Sequence, residues 1–231
     1  MKELLTQSVF FGVVISLLCY RIGLWVKKKT GWALANPLLI AVMIIVSFLV
    51  LFDVEYETYQ NGAKYISFFL TPATVSLAIP LYRQLDLLKR YPKAIVGGIA
   101  AGVLTAMVSI FLMSLAFGLN HEQYVTLLPK SITTAIGIGV SEKMGGVATI
   151  TVVAISITGI LGNIVAESIC RLFHIEEPIA RGLAIGTSAH ALGTAKAMEI
   201  GEIEGAMSSL SIVVAAIMTV VSVSLFAQFI P

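Results

Sequence analysis

Two polar stretches interrupt an otherwise apolar chain and hold most of the side chains suited to chemistry. The first runs from Leu128 to Ser141 and contains a lysine, several hydroxyl side chains and glycines. The second runs from Ala180 to Ile200 and contains a histidine among similar residues. At membrane depth, polar side chains and broken helices are tolerated only inside protein or beside a water-filled cavity. Because both stretches lie between long apolar runs, they predict a binding site within a membrane.

The residue types of the first stretch are those of an anion pocket. Its candidate donors are Lys130, Ser131, Thr133 and Thr134, and Gly137 and Gly139 are candidates for close backbone approach. Pro129 and the glycines break or bend a helix and free backbone N–H groups. A helix N-terminus, hydroxyls and an ammonium together favour a bound anion. The alternative for Lys130 is a span end, where its side chain extends to the lipid head groups.

The second stretch predicts the other half of the same site. Its candidate donors are Thr187, Ser188, His190 and Thr194, and Gly186 and Gly193 admit close backbone approach. His190 is the only histidine in a predicted span, which makes it a candidate for ligand contact or proton coupling. The alternative is a buried histidine that is merely hydrogen-bonded. Lys196 and Glu199 have the i, i+3 spacing of a structural pair on one helix face.

No enzyme signature is found in the sequence. There is no Gly-x-Ser-x-Gly, His-Glu-x-x-His or phosphate-loop motif, and no Cys/His/Asp/Glu cluster has metal-ligand spacing. Cys19 and Cys170 stand singly in apolar runs and are expected to be inert thiols. We therefore predict no catalytic residue, metal or cofactor, and a function that moves or gates something. The formal charge of +2 is too small to indicate a nucleic-acid partner.

The composition is that of a membrane protein with several spans. The 231 residues are 58% hydrophobic and 12% charged, and the mean hydropathy is +0.95. A soluble domain has about half apolar and a quarter charged residues. A span needs about 20 predominantly apolar residues. Clear candidates are 4–26, 34–52, 94–118, 147–173 and 206–230, and a further candidate at 65–81 is interrupted by Pro72 and Pro80.

We expect an all-α, polytopic membrane protein whose residues 1–231 form one integral membrane domain. Spans one to four occupy residues 1–120, and residues 121–231 hold two polar broken-helix segments, each followed by a span. The total is eight spans if segments 125–146 and 182–201 cross the membrane, and six if they re-enter. Thr134-Ala-Ile-Gly and His190-Ala-Leu-Gly form a weak internal repeat, and paired interrupted segments are typical of transporters.

Basic residues predict the orientation. Lys27-Lys28-Lys29 marks one cytoplasmic loop, and the basic residues between Arg83 and Lys93 mark another. Asp53, Glu55 and Glu57 lie in a loop poor in lysine and arginine, which suits the outside. We expect the N-terminus outside and a location in the bacterial cytoplasmic membrane.

Several motifs together resemble the LrgB/CidB family of bacterial inner-membrane proteins. They are Asn36-Pro-Leu-Leu, Pro72-Ala-Thr, Ala78-Ile-Pro-Leu-Tyr, Leu128-Pro-Lys-Ser-Ile-Thr-Thr-Ala, Gly145-Gly, Ala180-Arg-Gly-Leu-Ala and Gly186-Thr-Ser-Ala-His-Ala-Leu-Gly-Thr-Ala-Lys-Ala. The resemblance covers essentially the whole chain. The Lys130-Ser131 pair and the histidine block place the chain nearer the CidB-like subset.

The resemblance implies two kinds of function. Members of the family are described as antiholin-like or holin-partner proteins that act with a small LrgA/CidA-type membrane protein on murein hydrolase activity and autolysis. The family also resembles half of the plastid glycolate/glycerate translocator, and bacterial members are associated with pyruvate uptake. We therefore expect a transporter of small monocarboxylates, with a regulator lacking transport as the alternative. The expected partners are a small organic-acid anion, the LrgA/CidA-type protein, membrane lipid and a second copy of the chain, with no nucleic acid.

Overall fold

The computed structural model describes residue 8 and residues 10–32, 35–76, 78–83 and 85–230. The helices are α1 (Phe11–Thr30), α2 (Pro37–Leu51), α3 (Tyr56–Ser67), α4 (Leu70–Ser76), α5 (Ala78–Arg83), α6 (Leu85–Arg90), α7 (Pro92–Phe117), α8 (His121–Leu127), α9 (Thr134–Lys143), α10 (Ala148–Leu172), α11 (Pro178–Ile200) and α12 (Glu202–Phe226). A short 3-10 helix, Ala227–Phe229, follows. Every regular element within these residues is a helix, so the all-α prediction is confirmed.

The chain forms two compact units, Met1–Ser76 and Leu77–Pro231. In the first unit, α1 ends where Gly31 takes a left-handed conformation (φ 67°) and its N–H donates to the Lys27 carbonyl. The Asn36 side chain accepts from the amides of Leu38 and Leu39, and Pro37 occupies the first turn of α2. An asparagine cap followed by a proline in the first turn is a favoured way to begin a helix. The prediction of one domain over residues 1–231 remains a prediction.

The core of the second unit is built on one face of α7. Its buried residues Ile95, Ile99, Val103, Met107 and Ile110 recur every three or four positions, which places them on one side of the helix. They belong to a cluster of buried residues from α8, α11 and α12. The buried Tyr124 hydroxyl donates to the Phe226 carbonyl over 3.0 Å and ties α8 to the end of α12. The adjoining face of α7, which contains Gly98 and Gly102, lies outside this cluster.

Three helices of the described residues have the length and apolar composition to cross a membrane. They are Pro92–Phe117, Ala148–Leu172 and Glu202–Phe229, and they match three of the five clear predicted spans. The predicted span 34–52 corresponds to the shorter apolar helix Pro37–Leu51. Residues 4–7 and 9 of the predicted span 4–26 lie outside the described residues, which begin this helix at Phe11. The interrupted candidate 65–81 is divided among short helices.

Both polar stretches are broken helices, as the sequence indicates. In the first, α8 and α9 flank the turn 128–133, and α9 has 10 residues. This length is about 15 Å, half the thickness of a bilayer's hydrocarbon core. In the second, α11 is interrupted by non-helical backbone at Ala189 and His190.

Candidate functional site

A groove of about 860 Å³ lies between α7 and the first half of α11. The turn that follows α8 contributes Lys130 and Ser131 to its wall. The lining residues are Tyr91, Ala94, Gly98, Gly102, Thr105, Ala106, Lys130, Ser131, Glu177, Ile179, Ala180, Leu183, Ala184, Thr187 and Ser188. The structure thus brings four predicted donors, Lys130, Ser131, Thr187 and Ser188, from the two polar stretches into one groove.

Small residues on α7 make room for the groove. Ala94, Gly98, Gly102 and Ala106 recur every four positions, so they share one face of the helix. A Cβ atom added at Gly102 would lie 2.8 Å from Thr187 Cγ2, whereas one at Gly98 would lie 3.7 Å from the Leu183 side chain. These two contacts, four residues apart on each helix, show that α7 and the first half of α11 run parallel.

The polar end of the groove contains a buried hydroxyl that has no partner. Thr187 is 6% exposed, and its Oγ1 has no hydrogen-bond partner among the described residues. The half-buried Lys130 ammonium donates to Ser131 Oγ over 3.2 Å. Ser188 Oγ donates to the Ala184 carbonyl over 2.7 Å, which leaves its lone pairs free to accept. A buried hydroxyl without a partner costs about 1–3 kcal/mol, which makes Thr187, a residue of the groove wall, a candidate donor.

This polar end lies near the middle of the long helix. Thr105 is the fourteenth residue of α7, a helix of 26 residues, and about 20 Å separates it from the helix start. Pro129 and Ile155 both lie beside Gly137, and the Ile155 carbonyl accepts from His190, so Lys130 follows a residue that lies near the break in α11. A cation and hydroxyl donors at this depth stabilise a carboxylate, whose charge would otherwise be very costly to bury.

The break in α11 is strained and is held from both sides. His190 has φ 42° and ψ −136°, a conformation that costs a non-glycine residue on the order of 1–3 kcal/mol. Thr194 Oγ1 donates to the His190 carbonyl over 3.0 Å and is also 2.7 Å from Ser208 Oγ of α12. Asn163 of α10 donates its side-chain N–H to the Leu192 carbonyl over 2.8 Å. These bonds connect the residues at and after the break to α10 and α12.

His190 faces α10 and does not line the groove. Its Nε2–H donates to the Ile155 carbonyl over 3.0 Å. A Cβ atom at Gly159 would lie 2.7 Å from the ring, so the glycine creates the space that the imidazole fills. Gly162 likewise admits the Ala189 side chain. The position suits a residue that holds the break, and the proton-coupling role stays a prediction.

The remaining predicted residues do not line the groove. Gly186 approaches α12, where an added Cβ would lie 2.5 Å from the Ser208 carbonyl oxygen. Gly137 packs against Ile155, and Gly193 against the Ile185 carbonyl. Thr133 precedes α9 without a side-chain cap bond, and Thr134 begins that helix. Gly139 is exposed with open space at its Cβ position. The contacts of Thr194 are those of the α11 break, and ligand contact by these residues stays a prediction.

Lys196 makes the structural pair expected from its spacing. Its ammonium is 3.2 Å from Glu199 and 2.8 Å from Glu167 of α10, so it links two helices. In the part of the chain that the structure describes, no group of three or more histidine, cysteine, aspartate or glutamate side chains is placed to hold a metal ion.

The sequence reasoning missed the residues that α7 and α10 supply. Gly98 and Gly102 have the Gly-x-x-x-Gly spacing that lets membrane helices approach closely, and this signal was present in the sequence. Gly159, Gly162 and Asn163 have a similar role against the break in α11. Nothing in the sequence of α10 indicates which helix those residues contact.

Comparisons with known proteins agree over nearly the whole chain. The model of the LrgB-like family matches residues 16–229. The "Antiholin-like protein LrgB" of Bacillus cereus (strain B4264) is 39% identical over 226 residues, which are 97% of this chain and 98% of the relative. The protein of the same name from Bacillus anthracis (strain CDC 684 / NRRL 3495) gives the same identity and coverage. No solved structure matches the chain.

Proposed function

Because the chain belongs to the LrgB-like family, we propose that it is an antiholin-like membrane protein that restrains murein hydrolase activity and autolysis. The relatives' name supports this role, since they are 39% identical over 97% of this chain. In this role the protein works with a small LrgA/CidA-type partner through contacts between membrane helices. Small residues let such helices approach closely.

A second function is favoured by the groove, namely transport of small monocarboxylates such as pyruvate or glycolate. The observation behind it is the unpartnered Thr187 hydroxyl, buried in a groove that also contains Lys130 and Ser131. A regulator that acts only through its outer surface has no need of a buried donor that costs stability. A carrier needs one, because its substrate's charge must be stabilised within the bilayer.

The broken helices fit this second function. Transporter sites lie near the bilayer midplane beside discontinuous helices, and the groove's polar end lies beside the break at Ala189 and His190. We propose six to eight spans related by an internal repeat, in a homodimer of the bacterial inner membrane. His190 is the proton-coupling candidate, since it adjoins the polar end and is the one histidine in α11.

The two functions are separated by one pair of variants and two assays. Lys130→Met removes the charge in the groove, and Lys143→Met is the matched control, because Lys143 is exposed at the end of the neighbouring α9. The assays are uptake of radiolabelled pyruvate and glycolate into proteoliposomes, with the small partner present, and autolysis in a deletion strain.

Transport predicts that Lys130→Met lowers uptake by at least about tenfold while the control retains it, since a hydrogen bond to a charged group is worth about 1.5–3 kcal/mol. An antiholin-like role independent of transport predicts that both variants restore normal autolysis. Wild-type protein that takes up no monocarboxylate would eliminate the carrier function. Wild-type protein that fails to restore autolysis control would eliminate the regulatory one.

A further inference from the structure

The groove is larger and more apolar than a site for a two- or three-carbon acid needs to be. Its volume of about 860 Å³ is in the upper part of the range found for pockets that bind drug-sized ligands. Most of the lining surface is apolar, and Ala94, Ala106, Ile179 and Leu183 are among the residues that form it. Apolar walls of this extent stabilise an apolar ligand body.

The charged residues of the groove stand apart from each other. Lys130 is its cation, and it lies near the end that contains Thr187, because the preceding Pro129 lies beside Ile155, whose carbonyl accepts from His190. Glu177 is its carboxylate, and it begins α11 by accepting a hydrogen bond from the Ala180 amide over 2.9 Å. Ten residues of helix separate Glu177 from Thr187, a distance of about 15 Å. A ligand lying along the groove therefore has a cation at one end and an anion at the other.

We propose that the groove binds an aliphatic monocarboxylate, with its carboxylate at Lys130, Ser131 and Thr187 and its hydrocarbon body along the small-residue face of α7. This assignment rests on the proposed carrier function and names its substrate class. The described residues that line the groove include no second cation for a dicarboxylate, whose far carboxylate would meet apolar walls and Glu177. Desolvating that charge without a partner is unfavourable. Specificity arises from the apolar walls and from the acidic residue together.

The test is a series of probes measured by calorimetry on the full chain in lipid nanodiscs, with empty nanodiscs subtracted. Acetate, butanoate and hexanoate vary the chain length, and adipate adds a second carboxylate to six carbons. Each buried methylene tightens binding about fourfold, so hexanoate is expected to bind about fifteenfold tighter than butanoate. Adipate is expected to bind at least about tenfold more weakly than hexanoate.

The matched variants are Gly98→Leu and Gly97→Leu. Gly98 lines the groove, whereas a Cβ atom at Gly97 meets nothing within 4 Å. Gly98→Leu is expected to abolish the gain with chain length while acetate still binds, and Gly97→Leu is expected to bind like wild type. Ala184→Leu fills the groove from α11 and serves as a second variant.

The outcomes separate this inference from the carrier function. If hexanoate binds no tighter than acetate, or adipate equals hexanoate, the aliphatic assignment is wrong although the carboxylate site stands. If no probe binds, both the assignment and the carrier function fail. Dodecanoate is included as a further probe to identify the source of the ligand. If affinity continues to rise up to twelve carbons, the ligand is a membrane-borne fatty acid. A plateau at hexanoate indicates a free short-chain acid, and either result supports an aliphatic monocarboxylate.

Discussion

The sharpest prediction concerns Thr187→Val, which replaces a buried hydroxyl with a methyl group of similar size. Thr187 is 6% exposed and its Oγ1 has no partner among the described residues. An uncompensated hydroxyl costs about 1–3 kcal/mol on burial. We therefore expect the variant to be more stable than wild type in the absence of ligand, by about 1 kcal/mol.

The same variant is expected to lose affinity for a carboxylate. A hydrogen bond to a charged group contributes about 1.5–3 kcal/mol, so binding should weaken by about ten- to a hundredfold. Stability is measured by reversible unfolding of the detergent-solubilised protein, and affinity by equilibrium binding of a radiolabelled monocarboxylate. A variant that is more stable but binds carboxylate more weakly is the result expected if the hydroxyl donates to a bound ligand.

Thr194→Val is the matched control on the same helix. Thr194 is 0% exposed, and its hydroxyl bonds the His190 carbonyl and lies 2.7 Å from Ser208 Oγ. Removing it leaves buried polar groups without a partner, so unfolding should become easier by about 1–3 kcal/mol. If Thr187→Val destabilises the protein as Thr194→Val does, or leaves carboxylate binding unchanged, the reasoning about the groove is wrong.

Further predictions concern the break in α11 and the ion pairs of the second unit. Gly159→Ala is expected to destabilise the protein, because its Cβ would lie 2.7 Å from the His190 ring. The control Gly139→Ala has open space and should gain about 0.5–1 kcal/mol of helix stability; equal effects in a thermal unfolding assay would contradict the assigned packing. Arg181→Met leaves the buried Glu204 without the guanidinium 3.5 Å away and should cost more than about 1 kcal/mol. Arg171→Met removes an exposed pair and should cost less than about 0.5 kcal/mol; denaturant unfolding that ranks the two in reverse would refute this.

Local features of the sequence predict much of the fold. The long apolar helices α7, α10 and α12 follow from runs of residues that only a helix can place in lipid with every backbone group paired. The Asn36-Pro37 pair predicts the start of α2 because a cap depends on adjacent residues. The glycines and polar residues around His190 indicate a broken helix, and the structure breaks α11 there.

The composition of the site was predicted in part. Lys130, Ser131, Thr187 and Ser188 meet in one groove, as expected of donors drawn from two polar stretches. Gly137, Gly186 and Gly193 were assigned to backbone approach to a ligand, but they approach neighbouring protein atoms. Residue type alone does not distinguish these uses, because a glycine admits any close neighbour.

The sequence by itself determined that polar, interrupted segments would stand among apolar helices, since hydropathy, proline and glycine act on their own stretch of chain. The tertiary structure decided which helix faces meet. It placed the small-residue face of α7 against the first half of α11, turned His190 towards α10 and left the Thr187 hydroxyl without a partner among the described residues. Contacts between helices depend on the shapes of two distant surfaces and on the backbone angles of the break, and neither is encoded at a single position.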